Sequence, residues 1–202
     1  MKVTTIRSVQ SEHVYEAEKS KGSRFLAHVI PCENLGLAKN ILGRIRSRYP
    51  DASHHCWAWQ GSARDEFRYS DDGEPSGSGG APIHNAIVGR ELVGVLVVVV
   101  RYFGGTKLGT GGLVRAYGGC AAEALDKSDI VEIVVKSTLR FCCHYADVGL
   151  VKSIVNSIEY GSVDAQYAEM VRLTVQVPIA HEEKTLQSIQ ERSAGRVIRL
   201  ED

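Results

Sequence analysis

Leu92-Val93-Gly94-Val95-Leu96-Val97-Val98-Val99-Val100-Arg101-Tyr102-Phe103-Gly104-Gly105-Thr106-Lys107-Leu108-Gly109-Thr110-Gly111-Gly112-Leu113-Val114-Arg115-Ala116-Tyr117-Gly118-Gly119 reads as a strand, a glycine turn and the start of a helix. The strand, Leu92 to Phe103, is β-branched and apolar on both faces, so it is expected at the centre of a sheet. Gly104 to Gly109 is the turn. Thr110 suits the cap of a helix that continues to about Lys127. A helix start presents unpaired N–H groups and the positive end of the helix dipole, which favours anions. Arg101, Lys107 and Arg115 add charge, and Tyr102 and Tyr117 offer rings for a base to stack on. Gly111 and Gly112 carry no side chains to block approach. The predicted nucleic-acid or anion site therefore comprises Arg101, Tyr102, Gly104, Gly105, Lys107, Thr110, Gly111, Gly112, Arg115 and Tyr117. The competing explanation is packing: the small residues from Gly111 to Ala124 let a helix lie close to a sheet.

The named nucleotide motifs fail on this stretch. Gly104 and Gly109 have P-loop spacing, but Thr110-Gly111 stands where Lys and Ser/Thr are required. Gly109 and Gly111 open a dinucleotide fingerprint, yet Val114 replaces its third glycine. No cofactor is expected.

Upstream lies an acidic, then Gly/Ser-rich loop, Asp71 to Gly80. Asp71, Asp72 and Glu74 suit a turn, a partner contact, or a metal-assisted hydrolase with His54 nearby. A further option is that they pair with Arg101 or Arg115 and order the glycine segment. His54, His55 and Cys56 are consecutive, so in a strand at most His54 and Cys56 share a face, which makes a zinc site a poor fit. No catalytic residue is assigned.

Working outward, Ser23 to Ile30 reads as a strand and Glu33 to Tyr49 as a helix with Leu35, Ala38, Ile41, Leu42 and Ile45 on one face. His54 to Gln60 and Phe67 to Ser70 suit a hairpin. Pro82 suits the first turn of a helix to about Arg90. Ile130 to Lys136 closes this region as a strand. Beyond it, strands at 138–143, 161–167, 170–177 and 196–200 alternate with helices at 147–157 and 181–192. That βαββαβ order is the ferredoxin-like pattern. The expected fold class is α+β with two domains, residues 1–136 and 137–202.

Bulk properties narrow the function. The 202 residues, 44% hydrophobic, suffice for one large or two small cores. Formal net charge is zero, so any polyanion site must be a local patch. The five cysteines are odd in number and form no Cys-x-x-Cys, which argues for a reducing cytoplasm rather than a disulfide scaffold. Met1 to Gln10 has no apolar core, so no signal peptide is expected, and Val95 to Val100 is too short to span a membrane.

Two long segments carry a resemblance. Tyr69-Ser70-Asp71-Asp72-Gly73-Glu74-Pro75-Ser76-Gly77-Ser78-Gly79-Gly80-Ala81-Pro82, followed by Val98 to Tyr117, resembles the IMPACT family. The length and the C-terminal segment resemble its bacterial YigZ branch. His54-His55-Cys56-Trp57-Ala58 and Lys19 to Phe25 fit as well. The resemblance implies an N-terminal ribosomal-protein-type βαβ domain, like domain IV of elongation factor G, and a ferredoxin-like C-terminal domain. It also implies translational control, since eukaryotic relatives restrain activation of the amino-acid-starvation kinase. The expected function is a non-enzymatic protein that binds RNA or the ribosome. The alternatives are a metal-assisted hydrolase on the acidic loop and an interaction module for a regulatory protein. No membrane partner is expected, and the sequence sets no oligomeric state.

Overall fold

Eight consecutive residues, Val95–Tyr102, form the central strand that the apolar run predicts, and seven of them are buried. The computed structural model describes residues 4–63 and 65–201. In chain order the elements are β1 Thr5–Val9, β2 His13–Glu16, β3 Arg24–Pro31, α1 Leu35–Arg48, β4 His54–Gln60, β5 Phe67–Ser70, α2 Gly80–Val88, β6 Val95–Tyr102, α3 Thr110–Asp126 and β7 Ile130–Val134. Then follow β8 Lys136–Cys143, α4 Tyr145–Asn156, β9 Ser162–Tyr167, β10 Val171–Pro178, α5 Glu182–Arg192 and β11 Ile198–Leu200. The chain divides into two units, Arg7–Glu132 and the residues from Ile133 onward together with those up to Ile6. The architecture is α+β, with three sheets among the described residues.

The first unit is a five-stranded sheet in the order β2-β3-β6-β4-β5, antiparallel throughout. Successive residues of a strand point to opposite faces, so β6 feeds two cores. Val95, Val97 and Val99 pack with Ile83 and Ile87 of α2 and Leu113, Tyr117 and Ala121 of α3. Leu96, Val98 and Val100 pack on the other face with Ala38, Ile41, Leu42 and Ile45 of α1. Those four α1 residues are the face that the helical spacing predicts. Asn34 caps α1 by accepting from the Leu37 N–H at 2.9 Å.

The second unit is a four-stranded sheet in the order β11-β8-β10-β9, also antiparallel. Leu139 and Phe141 of β8 and Leu173 and Val175 of β10 pack with Val151 and Val155 of α4 and Ile189 of α5. Buried Asp147 receives Arg196 at 2.9 Å.

Several boundaries differ from expectation. Ile130 to Lys136 is not one strand: β7 pairs with β1, and Lys136 already begins β8, which pairs with β10. Pro82 lies in the first turn of α2, as expected, but the helix begins at Gly80 and ends at Val88 rather than near Arg90. Strands β1 and β2 were not anticipated; β1 forms within the segment read as lacking an apolar core, of which Met1 to Val3 lie outside the described residues. Among the described residues no helix is long and apolar enough to cross a membrane.

Candidate functional site

The acidic loop and the glycine segment meet through Glu74. Its Oε1 accepts from Arg101 Nη1 at 2.5 Å and from the Tyr117 hydroxyl at 2.7 Å. His54 Nε2 stands 3.8 Å from the same oxygen. One carboxylate thus ties the loop to β6 and to α3. Both charged side chains are out of solvent, with relative exposures of 6% for Arg101 and 4% for Glu74.

The rest of the loop is held the same way. Asp71 Oδ1 accepts from the N–H groups of Gly79 and Gly80 at 2.9 and 2.8 Å, and Oδ2 from Gly77 at 2.9 Å. Burial acts to raise the Asp71 pKa, but these three N–H bonds outweigh it and hold the carboxyl below its ordinary value. Asp72 Oδ1 pairs with Arg46 of α1 at 2.6 Å, and Oδ2 accepts from the His55 N–H at 2.7 Å. The Asp72 carbonyl lies 2.9 Å from His54 Nδ1. Beneath the loop the Cys56 thiol donates to the Asp71 carbonyl at 2.9 Å. Burial pushes that thiol up to about 12, so it is a packed neutral group and not a nucleophile.

This arrangement corrects two expectations. Tyr117 is fully buried, edge-on to Phe25 at 5.1 Å between centroids, so its ring is not open to a base. Burial foremost, with Cys56 and Glu74 beside it, drives its hydroxyl pKa far upward. Arg101 is likewise a core side chain, with Nη2 3.4 Å from Ser23 Oγ and its guanidinium over the rings of Phe25 and Phe103. The metal-assisted hydrolase fares no better. Asp71, Asp72 and Glu74 spend their oxygens on backbone N–H groups, arginines and a tyrosine, and His54 faces a carbonyl and Glu74. Among the described residues no cluster of three or more His, Cys, Asp or Glu side chains is placed to hold a metal.

The remaining predicted residues form an exposed edge. Gly104, Gly105, Lys107, Thr110, Gly111 and Arg115 are exposed, and Gly112 is half-buried. Gly109, at φ 74°, is the cap residue of α3, and no side chain caps its first turn; Thr110 is already helical. Neither Lys107 nor Arg115 makes an ion pair among the described residues. Tyr102 is half-buried, its hydroxyl 3.3 Å from Asp51 and its ring beneath Arg24.

Of the two pairings weighed for the acidic loop, the one with Arg101 exists and one with Arg115 does not. Sequence reading missed Ser23, Gly22, Arg46 and Phe25. Gly22 and Gly104 meet backbone to backbone: a Cβ on Gly104 would lie 2.0 Å from the Gly22 carbonyl carbon. Paired glycines in Lys19 to Phe25 and Phe103 to Gly105 were the available signal, but only the fold shows that they touch.

Fold and site together define a two-unit α+β protein whose first unit is pinned by a buried carboxylate between two signature segments. Residues 21–125 match the Impact N-terminal domain, and residues 142–196 match a Domain of unknown function (DUF1949). The chain is 36% identical over 197 residues to an IMPACT family member of Haemophilus influenzae, covering 94% of this chain and 93% of that protein. It is 34% identical over 166 residues to IMPACT family member YigZ of Escherichia coli K12, covering 81% of each. A crystal structure described as that of a hypothetical protein is similar with a TM-score of 0.77 and 29% identity, over 99% of this chain and 98% of the other. The chain belongs to the bacterial IMPACT family, which includes the YigZ branch.

Proposed function

We propose that the protein is a non-enzymatic cytoplasmic factor that binds structured RNA or the ribosome and modulates translation. The observation that carries this reading is the exposed basic edge: Lys107 and Arg115 beside an uncapped first turn of α3. Lys21, exposed next to Gly22, adds a third cation beside Gly104. Such an edge offers N–H donors and fixed positive charge to phosphates without needing a net-basic protein. The strand order β11-β8-β10-β9, reached through βαββαβ, supports a ferredoxin-like second domain from residue 137. The first domain, residues 1–136, is read as like domain IV of elongation factor G. These kinships make a ribosomal partner the natural one to test.

The test is the salt dependence of binding to ribosomal RNA and to intact ribosomes. Native binding weakens steeply as salt rises, because phosphate contacts release counterions. The double variant Lys107→Ala/Arg115→Ala binds more weakly, and its log–log salt slope is shallower by about two, roughly one per lost phosphate contact. Equal affinity and slope for the two proteins would remove the edge from the account. A partner that survives nuclease treatment in pull-downs would replace RNA with a regulatory protein.

A further inference from the structure

A groove of about 320 Å³ runs along α3, between that helix and the segment joining β2 to β3. It lies within the first unit. Its floor includes Phe25, Ala116 and Cys120, and its walls carry Arg115, Gly119 and Glu123. Positions 115, 119 and 123 are four apart, so they share one helix face. At 1.5 Å of rise per residue, Arg115 and Glu123 stand about 12 Å apart along the axis. Arg115 thus stands at one end of the groove and Glu123 at the other, where Lys127 Nζ lies 3.8 Å from the centre of the Tyr15 ring. Glu18, close enough to act on the Tyr15 hydroxyl, is a second carboxylate in the lining.

Gly119 keeps the middle open. A Cβ there would meet nothing within 4 Å, whereas a Cβ on neighbouring Gly118 would touch Pro82 at 3.4 Å. Helix packing thus accounts for Gly118 and leaves Gly119 unexplained. Glu123 already accepts from the Tyr15 hydroxyl through Oε2, so Oε1 is its remaining acceptor. Arg115 has no ion-pair partner among the described residues.

We propose that this groove takes one unpaired nucleotide whose base carries an exocyclic amino group, with its phosphate on Arg115 and its amino group on Glu123. The inference rests on the RNA-binding reading and names what part of an RNA the edge selects. A phosphate and the amino edge of its base lie at opposite ends of a nucleotide, matching the polarity of the groove. The base lies against the half-buried Ala116 and Gly119. A carboxylate accepts from the cytosine N4 amino group but has nothing to accept from the uracil O4. Free nucleotide and RNA share this chemistry, and the experiment separates them.

Equilibrium dialysis of the full chain against CMP, UMP and cytidine tests the groove directly. CMP binds about tenfold more tightly than UMP, as one charge-assisted hydrogen bond allows. Cytidine, lacking the phosphate, binds more weakly than CMP, and Arg115→Ala brings the two level. Gly119→Leu fills the groove and abolishes CMP binding. It melts no lower than the native chain, since helix-interior glycine is itself unfavourable. Equal binding of CMP and UMP, no CMP binding at millimolar concentration, or native CMP binding by Gly119→Leu each overturns the proposal. Ribosomal RNA is titrated in parallel. If RNA binds but CMP does not, the groove falls and the RNA-binding reading stands. If CMP is discriminated from UMP but RNA is not bound, the groove stands as a free-nucleotide site and the RNA-binding reading falls.

Discussion

Glu74 sits at the junction of three elements, and its environment explains why a carboxylate is needed there. Arg101 follows a run of four valines in β6, and its guanidinium is almost fully withdrawn from water. A buried guanidinium without a partner is costly, and Glu74 supplies the opposite charge at 2.5 Å. The pair need not stabilise more than a well-packed apolar pair would. The double variant Glu74→Leu/Arg101→Met is expected to lose less stability than the two single variants summed, measured by urea midpoints. Asp71 adds a pH dependence. Its folded pKa is lowered, so its contribution is complete above the unfolded value of about 3.9 and is lost as pH falls through the lower folded value. His28 and His55 act at higher pH. Burial lowers both, so the unfolded chain takes up protons first and stability declines as pH drops below about 6.5. Denaturation followed from pH 8 to 2 therefore shows two acid declines, and Asp71→Asn flattens only the lower one.

Helix α3 shows how one element serves packing at one position and exposure at the next. Gly118 faces Pro82 of α2, and Gly119 faces open space. Gly118→Leu is expected to destabilise by about 1–3 kcal/mol through collision with Pro82. Gly119→Ala is expected to stabilise by up to about 1 kcal/mol through helix propensity. Thermal melts of the two variants check both signs. The elements legible beforehand were those with a strong internal period or a long apolar run, such as α1 and β6. Strands β1 and β2 were not, because each is five residues or fewer and is defined by its partner; β1 pairs with β7, more than a hundred residues away. The α3 cap was misplaced by one residue: Gly109, at positive φ, occupies the cap position, and the threonine expected there is already helical, so no side chain caps the first turn. The site was half legible. Its residues were found from motif chemistry, but which cations were buried was not, since Glu74 and Arg101 are 27 residues apart and no periodicity links them.

The whole molecule is two units with separate apolar cores, one on each face of the first sheet and one beneath the second. Residues 1–136 expressed alone are expected to unfold cooperatively with helix and strand content of their own; a featureless circular dichroism spectrum without a melting transition would contradict this. Within the first unit the signature segments divide their work. Glu74, Arg101 and Tyr117 hold the acidic loop down, while Lys107 and Arg115 stay exposed at the rim. Stability and binding should then respond to different residues. The most direct measurement is the urea midpoint of Glu74→Gln beside that of Lys107→Ala/Arg115→Ala. Glu74→Gln is expected to lose about 3–5 kcal/mol, from an uncompensated buried guanidinium, and the double variant to change by no more than about 0.5 kcal/mol. A native midpoint for Glu74→Gln would contradict the claim that the two signature segments form a structural clasp.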